Sequence, residues 1–126
     1  MKNINDKVAI VTGAGSGLGR TIAEYLAKKD AIVVVTDINI QYATETLNRI
    51  NEIGGQGIVL EIDVGNAEAV NKMITVTKEK FGRIDFLFNN AGAAINGEFT
   101  DMTLDHWKKM MDVNFWGIIY ACQSVY

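Results

Sequence analysis

The stretch Val8-Ala9-Ile10-Val11-Thr12-Gly13-Ala14-Gly15-Ser16-Gly17-Leu18-Gly19 decides how the rest of the chain reads. Its first four residues are continuously apolar and mostly β-branched, as expected of a strand covered on both faces. Glycines then interrupt the run, and a helical pattern follows with Leu18, Ile22 and Leu26 on one expected face. Such a turn suits a phosphate. Glycine permits the tight bend and close backbone approach, while the N–H groups and positive dipole end of the helix favour an anion. Taken alone, the loop fits an ordinary strand-to-helix turn equally well.

The same unit recurs downstream. Ala31-Ile32-Val33-Val34-Val35 repeats the buried-strand signature and ends at Asp37, and a helical stretch over about residues 40–53 is stopped by Gly54-Gly55. A third strand over 57–62 runs into Asp63-Val64; Asn66 can cap a third helix that stops at Gly82, and a fourth strand follows over 85–88. This β-α alternation at short spacing predicts an α/β fold: a parallel sheet with right-handed crossovers and helices on both faces. From Thr103, read as a cap, a helical pattern runs through Leu104, Trp107, Met111, Phe115, Ile118, Ile119 and Cys122 to Tyr126 without a stop signal. A helix still apolar at its last residue, after four strands, leads us to expect one domain over residues 1–126 that is truncated within this helix.

Composition narrows the function. The 126 residues are 48% hydrophobic and 21% charged, as in a globular domain, and twelve Lys and Arg against fifteen Asp and Glu give a net charge of -3. That balance provides no electrostatic footprint for nucleic acid or acidic membranes, so neither is an expected partner. A chain of this size buries roughly two-thirds of its unfolded surface, enough for a core without staples. One Cys, Cys122, and one His, His106, make neither an internal disulfide nor a structural zinc site, so no metal is expected and a reduced, cytoplasmic setting is the default. The apolar run Val8–Val11 is too short for a signal peptide or membrane span.

Asp37 ends the second strand roughly twenty residues beyond the turn, where a carboxylate can accept hydrogen bonds from the adenosine ribose of a dinucleotide. A solvated strand-end residue is the plain alternative. A carboxylate there repels the 2′-phosphate of NADP, and no Arg or Lys occurs in Ile38-Asn39-Ile40, so NAD is favoured over NADP. Arg20, just past the turn, reads as a surface or pyrophosphate-side residue.

Thr12-Gly13-x-x-x-Gly17-x-Gly19, Asp37, Asp63-Val64, Asn89-Asn90-Ala91-Gly92 and Asn114, in this order, together resemble the amino-terminal half of a short-chain dehydrogenase/reductase over essentially the whole chain. The resemblance implies a Rossmann-type doubly wound sheet with strand order 3-2-1-4. It implies that Gly13, Ser16, Gly17, Leu18 and Gly19 wrap the pyrophosphate and that Asp37 and Ile38 hold the adenosine ribose. Asp63 and Val64 would meet the adenine, with a strand-end cap as the rival role for Asp63. Asn90, Ala91 and Gly92 would approach the nicotinamide-side ribose, and Asn89 would tie the sheet together. Asn114, mid-helix where asparagine has poor propensity and a desolvated amide is costly, would hold a water in the family's proton relay; a satisfied core asparagine is the alternative.

The resemblance further implies NAD(H)-dependent hydride transfer on an alcohol or ketone, and a homo-oligomer when complete. In the family, a Tyr with a Lys four residues on, and an upstream Ser, act on the substrate oxygen; none of them is identified in this chain. Ser124 and Tyr126 are set aside, as is Tyr25 with Lys29, read as an accidental i, i+4 pair. The chain alone is therefore expected to carry at most a nucleotide site plus Asn114, and no dehydrogenase turnover. A non-catalytic dinucleotide sensor, an S-adenosylmethionine methyl transferase and an oligomerising module are the competing readings; Asn89-Asn90-Ala91-Gly92 and Asn114 speak against the second.

Overall fold

Strands covered on both faces alternate their side chains between two cores, and the chain does this from its first element. In the computed structural model, which describes residues 3–126, strand β1 (Val8–Val11) sends Ala9 and Val11 to one face and Val8 and Ile10 to the other, all four buried. β1 pairs in parallel with β2 (Ile32–Asp37), Val8 opposite Ile32 and Val11 opposite Val35. β2 pairs with β3 (Gln56–Glu61), and β4 (Phe86–Phe88) joins the other side of β1 with Phe86 opposite Ala9. The order is β3-β2-β1-β4, as expected, with β1 and β2 central and the half-buried β3 and β4 outside.

Helices α1 (Gly17–Lys28) and α2 (Ile40–Glu52) cover one face, packing Ala23, Leu26, Ala43 and Ile50 on Ala9, Val11, Val33 and Val35. α3 (Ala67–Phe81) covers the other, with Val70, Met73 and Ile74 against Val8, Ile10 and Val34. α3 begins at Asn66, whose side chain accepts from the Ala69 N–H, and ends at Gly82 in the left-handed region at φ 74, both as the sequence predicts.

One expectation is corrected and another refined. Leu18 does not share a buried face with Ile22 and Leu26: it is 68% exposed, and α1 instead buries Gly19, Ala23, Leu26 and Ala27. Periodicity marks a stripe on the helix, but in the first turn it is Gly19, seated on the Gly13 carbonyl, that faces inward, and Leu18 is turned out to solvent. The final helix runs without a break from Leu104 to Val125, as expected, but it is not α-helical throughout. α4 (Leu104–Met111) passes into a π-helical turn over Asp112–Trp116 before α5 (Gly117–Val125). α5 packs Ala121 beside α3, and Gly117 is small because a Cβ there would lie 2.9 Å from the Val64 carbonyl. Thr103 caps α4 reciprocally with His106: the Thr103 hydroxyl accepts from the His106 N–H, and the imidazole accepts from the Thr103 N–H.

Candidate functional site

Parallel strands deliver their carboxyl ends to one edge of the sheet, and clefts form there where the strand order reverses, here between β1 and β4. A cavity of about 550 Å³ opens at that edge. Its wall contains Gly13 and Ser16 from the glycine turn, Asp37 and Ile38 from the end of β2, Asp63 and Val64 after β3, and Asn90, Ala91 and Gly92 after β4. Thus most of the residues singled out from the sequence come together. Gly17, Leu18, Gly19 and Asn114 stand outside the lining.

The glycine turn is shaped by contact as much as by conformation. Gly13 has φ 63, and a Cβ on it would lie 2.8 Å from the Ala91 Cα. A Cβ on Gly19 would overlap the Gly13 carbonyl, so Gly19 seats the start of α1 against the turn. Gly17, at φ 54, has open space where its side chain would be. Ser16 is the N-cap of α1, its hydroxyl makes no cap bond, and the residue lines the cavity beside the positive end of the helix.

Asp37 is held from its own side of the cleft. Its Oδ2 accepts from the Gly15 N–H at 2.9 Å and its Oδ1 from the Asn39 N–H at 2.9 Å. Glycine is required at 15 because a Cβ would lie 2.7 Å from the same carboxylate oxygen. Arg20 is neither a surface group nor turned to the cavity. Its side chain is 18% exposed; Nη2 donates to the Gly15 carbonyl and Nε to the Thr46 hydroxyl at 3.0 Å, while Thr46 donates to the Ala14 carbonyl at 2.8 Å. Asp37, Arg20 and Thr46 together clamp the turn at Ala14-Gly15. The role of Arg20 and Thr46 was not legible, because nothing in their spacing says that α2 lies alongside the turn.

Thr12 organises the opposite wall. Its buried hydroxyl accepts from the Asn90 N–H at 3.1 Å and the Ala91 N–H at 3.0 Å, and donates to the Phe88 carbonyl at 3.3 Å. The tie between loops falls to Asn90, not Asn89: the Asn90 amide donates to the Gly13 carbonyl at 3.2 Å, whereas Asn89 reaches the Cys122 sulfur at 3.6 Å. The reason is geometric, since Asn90 faces the glycine turn at Thr12 and Gly13 and Asn89 faces Cys122 on α5. Asp63 accepts from the Gly65 N–H at 2.9 Å, a turn contact that leaves the cap of α3 to Asn66 and keeps Asp63 at the cavity wall.

Asn114 sits in the π-helical turn. Its amide forms a closed pair with one residue, accepting from the Ala93 N–H and donating to the Ala93 carbonyl, both at 2.7 Å. It is exposed rather than a core asparagine. The extra residue in this turn accompanies the pairing and joins the last helical segment to the loop after β4. Ser124 donates to the Asn71 side chain at 2.7 Å, and the Lys29 ammonium lies 5.7 Å from the Tyr25 ring centroid, so neither group faces the cavity.

A phosphate-shaped turn, a carboxylate at the next strand end and the Asn-Asn-Ala-Gly loop therefore line one cleft, and a family model described as short chain dehydrogenase matches residues 7–126. The chain belongs to the short-chain dehydrogenase family. It is 39% identical to an uncharacterized oxidoreductase of Staphylococcus saprophyticus over 99% of this chain and 54% of that protein. It is 36% identical to an uncharacterized oxidoreductase of Bacillus subtilis over 98% of this chain and 35% of the other. Among solved structures, a short chain dehydrogenase/reductase from Burkholderia phymatum in complex with NAD superposes with a TM-score of 0.94 at 31% identity, over 98% of this chain and 44% of that one. A hydroxysteroid dehydrogenase from Escherichia coli gives 0.92 at 32% identity, over 98% and 52%. The chain thus spans about half the length of its curated Staphylococcus relatives. Within the described residues no helix is long and apolar enough to cross a membrane.

Proposed function

We propose that this chain is the cofactor-binding half of an NAD(H)-dependent dehydrogenase that moves hydride between NAD(H) and the carbon of an alcohol or ketone. The observation that carries the reading is the Asp37 carboxylate, fixed 2.9 Å from the Gly15 N–H at the wall of the cleft. There it accepts from ribose hydroxyls and opposes a 2′-phosphate, which favours NAD over NADP.

The remaining residues fit the group. Gly13 and Ser16 of the turn line the cleft where the pyrophosphate would sit, Gly17, Leu18 and Gly19 form the helix start whose dipole end favours its charge, and Ile38 flanks the ribose beside Asp37. Val64 offers an apolar wall to the adenine and Asp63 an acceptor for its exocyclic amine. Asn90, Ala91 and Gly92 let the backbone approach the second ribose. When bound, the nicotinamide supplies or accepts the hydride; the residues of this chain bind and orient. Asn114 is fixed by Ala93 and retains one lone pair and one N–H for a water in the proton relay. The proton donor itself is not among these residues, so the 126-residue chain binds NADH without turning over.

Titration of NADH and NADPH fluorescence against the wild type and Asp37→Ala tests the reading. The wild type binds NADH more tightly by about tenfold or more, and Asp37→Ala narrows the gap to within about threefold. Unchanged discrimination removes Asp37 from this role.

A second reading rests on a separate observation. Leu104, Trp107, Met111 and Phe115 form a row along α4 and the π turn and are 81%, 40%, 49% and 49% exposed. Such a row suits association with a second copy of the chain, as a homo-oligomer.

A further inference from the structure

Lys109 lines the same cavity, although no sequence signal pointed to it. It is the one cation among the described lining residues of a cavity that Asp37 and Asp63 also line. It makes no ion pair with any described residue, whereas Arg20, Arg49 and Arg83 are each paired with a carboxylate. Its place follows from helical spacing: Lys109, Val113 and Gly117 are four apart on one face, Lys109 and Val113 line the cavity with Val64, and Gly117 packs on the Val64 carbonyl. Lys109 therefore stands one turn before Val113, on the helix face that meets the Val64 segment.

We infer that Lys109 is a cofactor-binding residue at the adenine end of the cleft, its aliphatic stem extending the Val64 and Val113 wall and its ammonium lying over the purine. The inference deepens the dinucleotide reading and rests on it. A lysine is suited to this position because its stem packs on an apolar surface while the charged head remains in water. The ammonium is drawn to the π-face of the base, and its charge offsets the two carboxylates that would otherwise face an anionic ligand.

The test is fluorescence titration of the protein with NADH and with reduced nicotinamide mononucleotide, which has no adenine. Lys109→Ala weakens NADH binding about 3- to 10-fold and Lys109→Met, which keeps the stem, by less. Neither variant changes the affinity for the mononucleotide. Lys108→Ala, which removes the same charge one position away and outside the cavity, leaves NADH binding within about twofold of wild type. Equal NADH binding by wild type and Lys109→Ala overturns the inference. So does an equal loss in Lys108→Ala, which would assign the effect to net charge, or an equal loss of mononucleotide affinity. A wild type that binds no NADH instead overturns the dinucleotide reading itself, a result distinct from any of these.

Discussion

Thr12 uses one buried hydroxyl to hold three backbone groups, the N–H of Asn90 and of Ala91 and the carbonyl of Phe88. It thereby sets the distance between the glycine turn and the loop after β4. Thr12→Val keeps the shape and removes the acceptor. We expect a loss of about 1–3 kcal/mol in urea unfolding and weaker NADH binding, both restored by Thr12→Ser. A Val variant with wild-type stability would show that the hydroxyl is not what joins the loops. Arg20 acts at the same scale from the other side. Arg20→Met removes the bonds to the Gly15 carbonyl and Thr46 while keeping the stem. NADH affinity is expected to fall by several-fold, because the turn that should meet the pyrophosphate is no longer clamped; affinity equal to wild type in the same titration would leave Arg20 a packing residue.

At the scale of elements, the strand boundary at β4 is set by an acidic residue. Asp85 precedes the strand, its Oδ2 accepting from the Val8 N–H at 2.9 Å and its backbone N–H donating to the Val8 carbonyl at 2.9 Å. Arg83 donates to both carboxylate oxygens, at 2.7 and 2.6 Å. The Arg83 hydrogen bonds, aided by the Val8 N–H and the nearby positive charges and opposed by partial burial, hold the Asp85 carboxyl below its ordinary value. A carboxyl with a depressed folded pKa contributes stability above its unfolded value of about 3.9 and loses it as pH falls through the lower folded value. Wild-type stability should therefore decline below about pH 4, and Asp85→Asn should be less stable at pH 7 with a shallower acid decline. Parallel pH profiles of the two proteins would contradict this. The π turn is the other decisive element. Asn114→Leu leaves the Ala93 N–H and carbonyl without their partner. The loop after β4 should loosen, seen as faster amide exchange of residues 90–93 and weaker NADH binding; unchanged exchange would assign the turn's geometry to α5 packing alone.

At the scale of the molecule, the cleft lies between structures that meet only in the folded state, so ligand binding and folding are linked. NADH at a hundred times its dissociation constant should raise unfolding free energy by about 2.7 kcal/mol, read as a shift in thermal midpoint. NADPH at equal concentration should shift it less. The exposed row on α4 predicts association: light scattering should give a mass above the 13.8 kDa of one chain, and Met111→Glu should lower it toward that value. A wild type that scatters as a monomer removes the second reading.

The β-α alternation, the parallel sheet and the turn between β1 and α1 are legible in the order of residues alone. These follow from local patterns: unbroken apolar strands, glycine punctuation and caps such as Asn66 and Thr103, each written within a few residues. That order also brought together most of the cavity wall, since parallel strands must deliver Asp37, Asp63 and Asn90 to one edge once the alternation is known. The assembled fold was needed to show which asparagine ties the loops, that Arg20 turns toward α2, that Leu18 stands clear of the core, and that the last helix takes a π turn around Asn114. It also brought Lys109 to the cleft. Each of these depends on a partner far along the chain, Gly13 for Asn90, Thr46 for Arg20, Ala93 for Asn114. A side chain's periodicity gives the face it occupies, while the hydrogen bond it makes is set by what the fold places opposite.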